Sequence, residues 1–528
     1  MNRLTSTGTN YAFLSIGNKT VSYGYDAASN RTSMTDPQSL PTSYGYDTLN
    51  RLNSLAFNGQ NPGFGFGYDS LSRRASLTRP NGVNTSYSYD PVSRLLSVLH
   101  QLGSTTLDGA SYTYDNAGNR LTKTDQRTGV TSNYTYDPIY QLTQVTQAGS
   151  TTETYSYDKV GNRLSSLGVS PYTYNSSNEL SSTPTITYGY DSNGNTTSKS
   201  DGTQYTWDYE NRLIKVVLPG SGGTVNFKYD PFGRRVQKSS TLGSTTTTTN
   251  YLYEGANLLE EVDNNASLLA RYNTALEIDD SLSQVRSGAT SYYETDAIGS
   301  VTTLTSSTGA VANAYTYDSF GKITSSTGTI TDSFQYGGRE FDSETGLDSY
   351  RARYYDPSTG RFASEDPLGF GGGVNFYAYV YDNPVNLTDP FGLRVGNAQY
   401  CGRLLDKIQN IQKKIDERIG DLDEDRQNLP ETCPGDKRNP GLSRAGHRVL
   451  INLDKANLAA LKALYLAFCS DDPPGVPTAV PPPVPTDNYF DRRFWEETTG
   501  LTGAALATYI VVSEGSRLFP PRNLVPIP

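Results

Sequence analysis

An aromatic residue, a spacer, a tyrosine and an aspartate recur along most of this chain, and that recurrence restricts the fold more than anything else in it. Clear copies are Tyr23-Gly-Tyr25-Asp26, Tyr44-Gly-Tyr46-Asp47, Tyr87-Ser-Tyr89-Asp90, Tyr112-Thr-Tyr114-Asp115, Tyr134-Thr-Tyr136-Asp137, Tyr155-Ser-Tyr157-Asp158 and Tyr188-Gly-Tyr190-Asp191. Their aspartates stand mostly 21 to 25 residues apart. Tyr205-Thr-Trp207-Asp208, Phe227-Lys-Tyr229-Asp230 and Tyr315-Thr-Tyr317-Asp318 keep the aromatic pair at a varying interval. A period of this length marks a repeat architecture with one supersecondary unit per period. Aromatics two apart share one face of a strand, and Asp-x-x-Gly-Asn, as in Asp115-Asn-Ala-Gly118-Asn119, supplies turn residues that accept positive φ. Each unit is therefore predicted to be a strand, a tight turn and a returning strand, the return opened here by Arg120-Leu121. One hairpin is marginal alone, so the units must stack into a quasi-one-dimensional antiparallel sheet that curls as sheets twist.

Composition agrees with this. Only 35% of the 528 residues are hydrophobic, yet 40 are Tyr against two Trp and two Met, which suits a half-exposed pleated surface. A formal charge of −10 argues against nucleic-acid binding by the array, because a phosphate backbone selects for Lys and Arg. The three cysteines, Cys401, Cys433 and Cys469, all follow residue 400, so the array must hold by strand pairing alone. No signal peptide opens the chain, and the longest apolar stretch, near Leu501 to Val512, falls short of the ~20 residues of a transmembrane span.

The unit Tyr-x-Tyr-Asp-x-x-Gly-Asn-Arg-Leu resembles the Rhs/YD repeat of bacterial polymorphic toxins and of the C subunits of insecticidal Tc complexes, and the resemblance runs from residue 1 to about 393. It implies a mainly β fold, a spiralling antiparallel sheet forming a shell around the C-terminal segment, followed by a small, mainly α domain. Met1-Asn2-Arg3-Leu4-Thr5 matches the second half of a unit, so the array is expected to open within a repeat, which leaves the completeness of the shell in question. The expected divisions are an array over 1–314, a core over 315–393 and a variable tail over 394–528.

The core reads Tyr336-Gly-Gly-Arg339-Glu-Phe-Asp342-Ser-Glu-Thr-Gly346-Leu347, then Tyr350-Arg-Ala-Arg353-Tyr354-Tyr355-Asp356, Glu365-Asp366-Pro367-Leu368-Gly369 and finally Asp389-Pro390-Phe391-Gly392-Leu393. Two close carboxylates cannot both ionise cheaply, so one can hold a proton while the other acts as base on a water. Asp366 and Asp389 are the candidates on that ground. The same residues also fit two plain Asp-Pro turns, with Arg353 in a structural ion pair. The segment is similar to the Rhs repeat-associated core, with Tyr381-Asp382 standing where the family more often has asparagines. That similarity implies aspartyl autoproteolysis by Asp366 and Asp389 with Arg353, at the bond Leu393–Arg394. The remaining acidic residues here, Glu340, Asp342, Glu344 and Asp356, are expected to be solvated or strand-capping.

After Leu393 the grammar changes. Leu405, Ile408, Ile411, Ile415, Ile419 and Leu422 form one helical stripe, and a second helix is expected up to Phe468, giving a hairpin over 402–469. Such a hairpin would bring Cys401 near Cys469, a candidate disulfide in an oxidising compartment, while three cysteines with one neighbouring histidine are poor grounds for a metal. A Pro-rich linker over 471–486 and a short helix over 494–513 complete the tail. His447, in Arg444-Ala-Gly-His447-Arg448, is the tail's candidate general base, and a plain surface role explains it equally well. No cofactor is expected.

Two functions are compatible with this reading. The first is a toxin casing, secreted or associated with the cell envelope, whose tail is its cargo and which implies an immunity partner. The second is a non-catalytic surface adhesin whose tyrosine-rich sheet binds carbohydrate. Self-cleavage separates them.

Overall fold

A computed structural model describes residues 3–11 and 17–393 of the chain. The helical hairpin, linker and short helix expected at 402–469, 471–486 and 494–513 lie outside the described residues. Within each sheet every strand pairs antiparallel with its neighbour in sequence. Fifteen strands from Ser6–Thr9 to Arg163–Ser166 make a first sheet, and fourteen from Tyr188–Tyr190 to Ile323–Thr327 make a second. A two-stranded piece, Thr173–Tyr174 with Leu180–Ser182, lies between them in sequence, and four strands from Glu340–Asp342 to Arg361–Phe362 form a small sheet in the core. Among the described residues no helix is long and apolar enough to cross a membrane.

The repeat builds each hairpin in one way. In the unit of Asp47, the carboxylate accepts the N–H groups of Leu49 and Arg51 at 2.9 and 3.0 Å, and Asn50 takes a φ of +58°. This is a type I turn closed by a left-handed residue, and it leaves a bulge where Tyr46 pairs with Leu52. Gly118, Gly161, Gly194 and Gly233 occupy the same left-handed position in other units.

Successive units are then fastened through the second tyrosine, whose hydroxyl donates to a carbonyl beside the preceding unit's bulge. Tyr68 reaches Leu52 O at 2.8 Å, Tyr89 reaches Arg74 O at 2.9 Å and Tyr114 reaches Leu95 O at 2.7 Å. The first aromatic of most pairs, such as Tyr44, Tyr112 or Phe227, is buried, while Tyr23, Tyr87 and Tyr188 are half-buried. Arginines four residues after the aspartate add a second link. Arg94 pairs with Asp90, donates to Asp115 O at 2.7 Å and lies 5.2 Å over the ring of Tyr114 in the next unit.

The strip turns back on itself, so the two large sheets share a core in which Phe57, Phe64 and Leu77 of the first meet Leu259, Leu282 and Tyr292 of the second. Buried charges join them as well. Arg79 pairs with Glu294 at 2.8 Å and Arg271 with Asp36 at 2.8 Å, while His100 sits between Thr85, Glu294 and Thr295 O.

The core segment lies across many units of the array. Asp382 accepts from Gln141, Arg361 donates to Asn162, Tyr377 donates to Gly194 O, and Tyr355 donates to Phe320 O. Its acidic residues, expected to be solvated or strand-capping, are paired with basic side chains, and Asp356 also caps the end of its strand by accepting the Ser358 N–H at 2.9 Å. Asp342 is buried and paired with Arg235 and Lys238, Glu340 pairs with Arg235, Glu344 with Lys238 and Asp356 with Lys199. Basic side chains of the array draw them inward, because a buried carboxylate needs a charged partner.

Candidate functional site

Arg353 follows the two-residue turn between the strands Leu347–Tyr350 and Arg353–Asp356. Its buried guanidinium lies 3.6 Å over the ring of Phe362 and donates to the carbonyls of Phe376, at 2.8 Å, and Gly392. These contacts fix the fork, and the fork reaches both candidate carboxylates. One terminal nitrogen, Nη2, stands 3.0 Å from Asp366 Oδ2 and 3.5 Å from Asp389 Oδ2. The two carboxylate oxygens are therefore no farther apart than the sum of those distances. Burial pushes the Arg353 pKa below its ordinary value, against the upward pull of Asp389 and Asp366.

Asp366 is held by its own turn. Its Oδ1 accepts the Leu368 N–H at 2.8 Å, its carbonyl accepts that of Gly369 at 2.9 Å, and its N–H donates to Phe376 O at 3.0 Å. Gly372 packs directly on this carboxylate, and a Cβ there would overlap Asp366 Oδ2. Asp389 accepts the N–H of Leu393 on Oδ1 at 3.1 Å, which brings it within one residue of the implied scissile bond. All three residues are at least nine-tenths buried. Charges so placed interact more strongly than they would in water.

The geometry thus assembles Arg353, Asp366, Asp389 and Leu393 in one place. Arg394, His447, Cys401 and Cys469 lie outside the described residues. Sequence reasoning passed over Gly372 and the Phe376 carbonyl. The Gly371-Gly372-Gly373 run was the available signal, since glycine marks a close approach of backbone to another group.

A family model described as the Teneurin YD-shell matches residues 120–372, and one described as the RHS repeat matches residues 25–56. The chain is 32% identical over 309 residues to the tRNA3(Ser)-specific nuclease WapA of Bacillus spizizenii, covering 55% of this chain and 11% of that protein. It is 29% identical over 319 residues to the double-stranded DNA deaminase toxin A of Burkholderia cenocepacia, covering 54% and 22%. It therefore spans only a small part of the length of these curated relatives. The crystal structure of TcdB2-TccC3-Cdc42 superposes with a TM-score of 0.63 at 22% identity, over 71% of this chain and 22% of that one, which shows a shared fold.

Proposed function

The chain belongs to the Rhs/YD-repeat shell family, whose matched members include nuclease and deaminase toxins, and from that premise we propose that it is a toxin casing that cuts its own backbone between Leu393 and Arg394. One of Asp366 and Asp389 takes a proton from water as the hydroxide adds to the Leu393 carbonyl carbon. The other gives a proton to the Arg394 nitrogen as the C–N bond breaks. Arg353 holds the two carboxyls together and stabilises the charge that develops. The observation that carries this reading is the single Arg353 nitrogen within 3.5 Å of both carboxylates, with Asp389 also on the Leu393 N–H.

In this reading the array encloses residues 394–528 as cargo, the chain is exported, and the freed tail acts on a target cell whose own kind carries an immunity protein. Purified protein should separate on a denaturing gel into a large and a small fragment, while Asp366→Asn and Asp389→Asn should each leave one band. Wild type that stays intact on prolonged incubation would overturn the reading. Residues 394–528 expressed alone should slow bacterial growth, and His447→Ala should relieve the effect at unchanged helix content. Harmless expression of the folded tail in both cytoplasm and periplasm would instead favour the carbohydrate-binding surface protein. That second reading rests on exposed rings at turn tips, Tyr209 at 86% and Phe232 at 71% exposure.

A further inference from the structure

The segment that ends at Leu393 is clamped from the array side as well as by Arg353. Pro390 O accepts from Arg339 Nη1 at 3.0 Å and from Arg351, and Phe391 O accepts the Ala352 N–H at 3.1 Å. Both arginines turn on one carboxylate of the array. Arg351 reaches Asp279 through two nitrogens, at 2.6 and 3.1 Å, and Arg339 pairs with the same Oδ1. Arg351 also donates to Ala256 O at 3.3 Å and lies 5.3 Å over Phe391. Two like charges aimed at one carbonyl repel each other, and Asp279 between them removes that cost. Against burial, which raises it, the two arginines hold the Asp279 pKa below the usual carboxylate range. Arg351 itself occupies the left-handed region at φ +59°, which a non-glycine residue keeps only when its surroundings hold it. Asp279 is held in turn by its N–H on Asn257 Oδ1 at 3.0 Å.

We infer that Asp279 is a positioning residue for the self-cleavage proposed above, on which this inference rests: it orients Arg339 and Arg351 so that they hold Pro390 and keep Leu393 against Asp389. Asp279 lies in the connection between two strands of the second large sheet, Leu268–Thr274 and Ser281–Arg286, so cutting depends on that part of the array being folded beneath the core.

Two measurements on the full chain decide it. The first is the single-turnover rate of cleavage in wild type, Asp279→Asn, Arg351→Ala and the double variant. Asp279→Asn should slow cleavage on the order of a hundredfold, the scale of a 1 Å misplacement. The double variant should be little slower than either single one, because all three lose the same clamp. Equal rates in wild type and Asp279→Asn would overturn the inference, as would additive effects of the two single changes.

The second measurement uses the uncleaved Asp366→Asn background and reads hydrogen exchange at the Ala352 and Leu393 amides. Adding Asp279→Asn should speed both by about tenfold, the equivalent of one lost charge-assisted contact, with exchange in the strand Tyr188–Tyr190 unchanged. Unchanged exchange at Ala352 and Leu393 sinks the inference, and so does faster exchange everywhere, since that marks a general structural role. Should Asp279→Asn fail to fold, Arg351→Lys, which keeps the charge without the fork, takes its place with the same outcomes. Wild type that never cleaves would overturn the proposed function, while the exchange result would still decide the place of Asp279.

Discussion

Gly372 leaves no room beside Asp366 Oδ2, and the consequence is measurable. Gly372→Ala must push the carboxylate off Arg353 or shift the loop, at a cost of about 1 to 3 kcal/mol by analogy with overpacked sites. The expected outcome is a lowered thermal midpoint together with slower cleavage, against a control at the adjacent exposed Gly371, where a Cβ meets only the Leu368 side chain at an ordinary 3.5 Å. Normal cleavage by Gly372→Ala would show that Asp366 need not stay on Arg353. Asp366 and Asp389 could be picked out in the sequence because each opens an Asp-Pro-x-Gly unit, and Arg353 because it stands in the same signature. Asp279 could not, since it follows no motif, and its arginine partners lie 60 and 72 residues farther on, in connections between strands of the core segment. The pairing of the core's acidic residues was missed for a related reason: Asp342 and Asp356 find their partners 107 and 157 residues earlier, at Arg235 and Lys199.

The repeating element explains both what periodicity reveals and what it hides. Strand, turn and return follow from the aromatic spacing and the Asp-x-x-Gly chemistry, and the left-handed residue falls where that chemistry puts it. The link between units was not legible, because the arginine four residues after the aspartate reads simply as the start of a return strand. Its contacts lie in the next unit, so the array couples neighbour to neighbour. Arg94→Ala should therefore cost about 1 to 2 kcal/mol, through the loss of its pairing with Asp90, the Asp115 carbonyl and the Tyr114 ring. Tyr114→Phe should cost about 1 kcal/mol, the worth of one buried hydrogen bond. Urea unfolding of both variants in the Asp366→Asn chain checks this. Wild-type midpoints would show that the links contribute nothing to stability.

Acidic residues at the joints of the whole molecule determine how it responds to pH. Burial, reinforced by Asp36, pushes Glu260 up to about 7, and burial with Glu153 nearby pushes Asp318 up to about 6. Burial likewise raises Asp332 and Asp382 to about 7. Each binds its proton more tightly folded than unfolded, so its contribution is fully present below the unfolded value of about 4 and is lost as pH rises through 6 to 7. Asp342 and Asp356 act oppositely, since Arg235 with Lys238, and Lys199, hold them low against burial, and their contribution is lost in acid. Thermal midpoints should accordingly be higher at pH 5.5 than at pH 8, and Glu260→Gln or Asp382→Asn should narrow the difference. A midpoint that rises from pH 5.5 to 8 would contradict this account of the joints. The antiparallel array and its repeat unit were legible in the sequence, whereas the joints were not, because they pair side chains from units far apart in sequence. Whether these parts amount to a self-releasing casing is decided most directly by the intact mass of the freshly purified chain. The account predicts two species whose junction is Leu393 and Arg394, replaced by one species in Asp389→Asn; a single wild-type species of 57.6 kDa would contradict it.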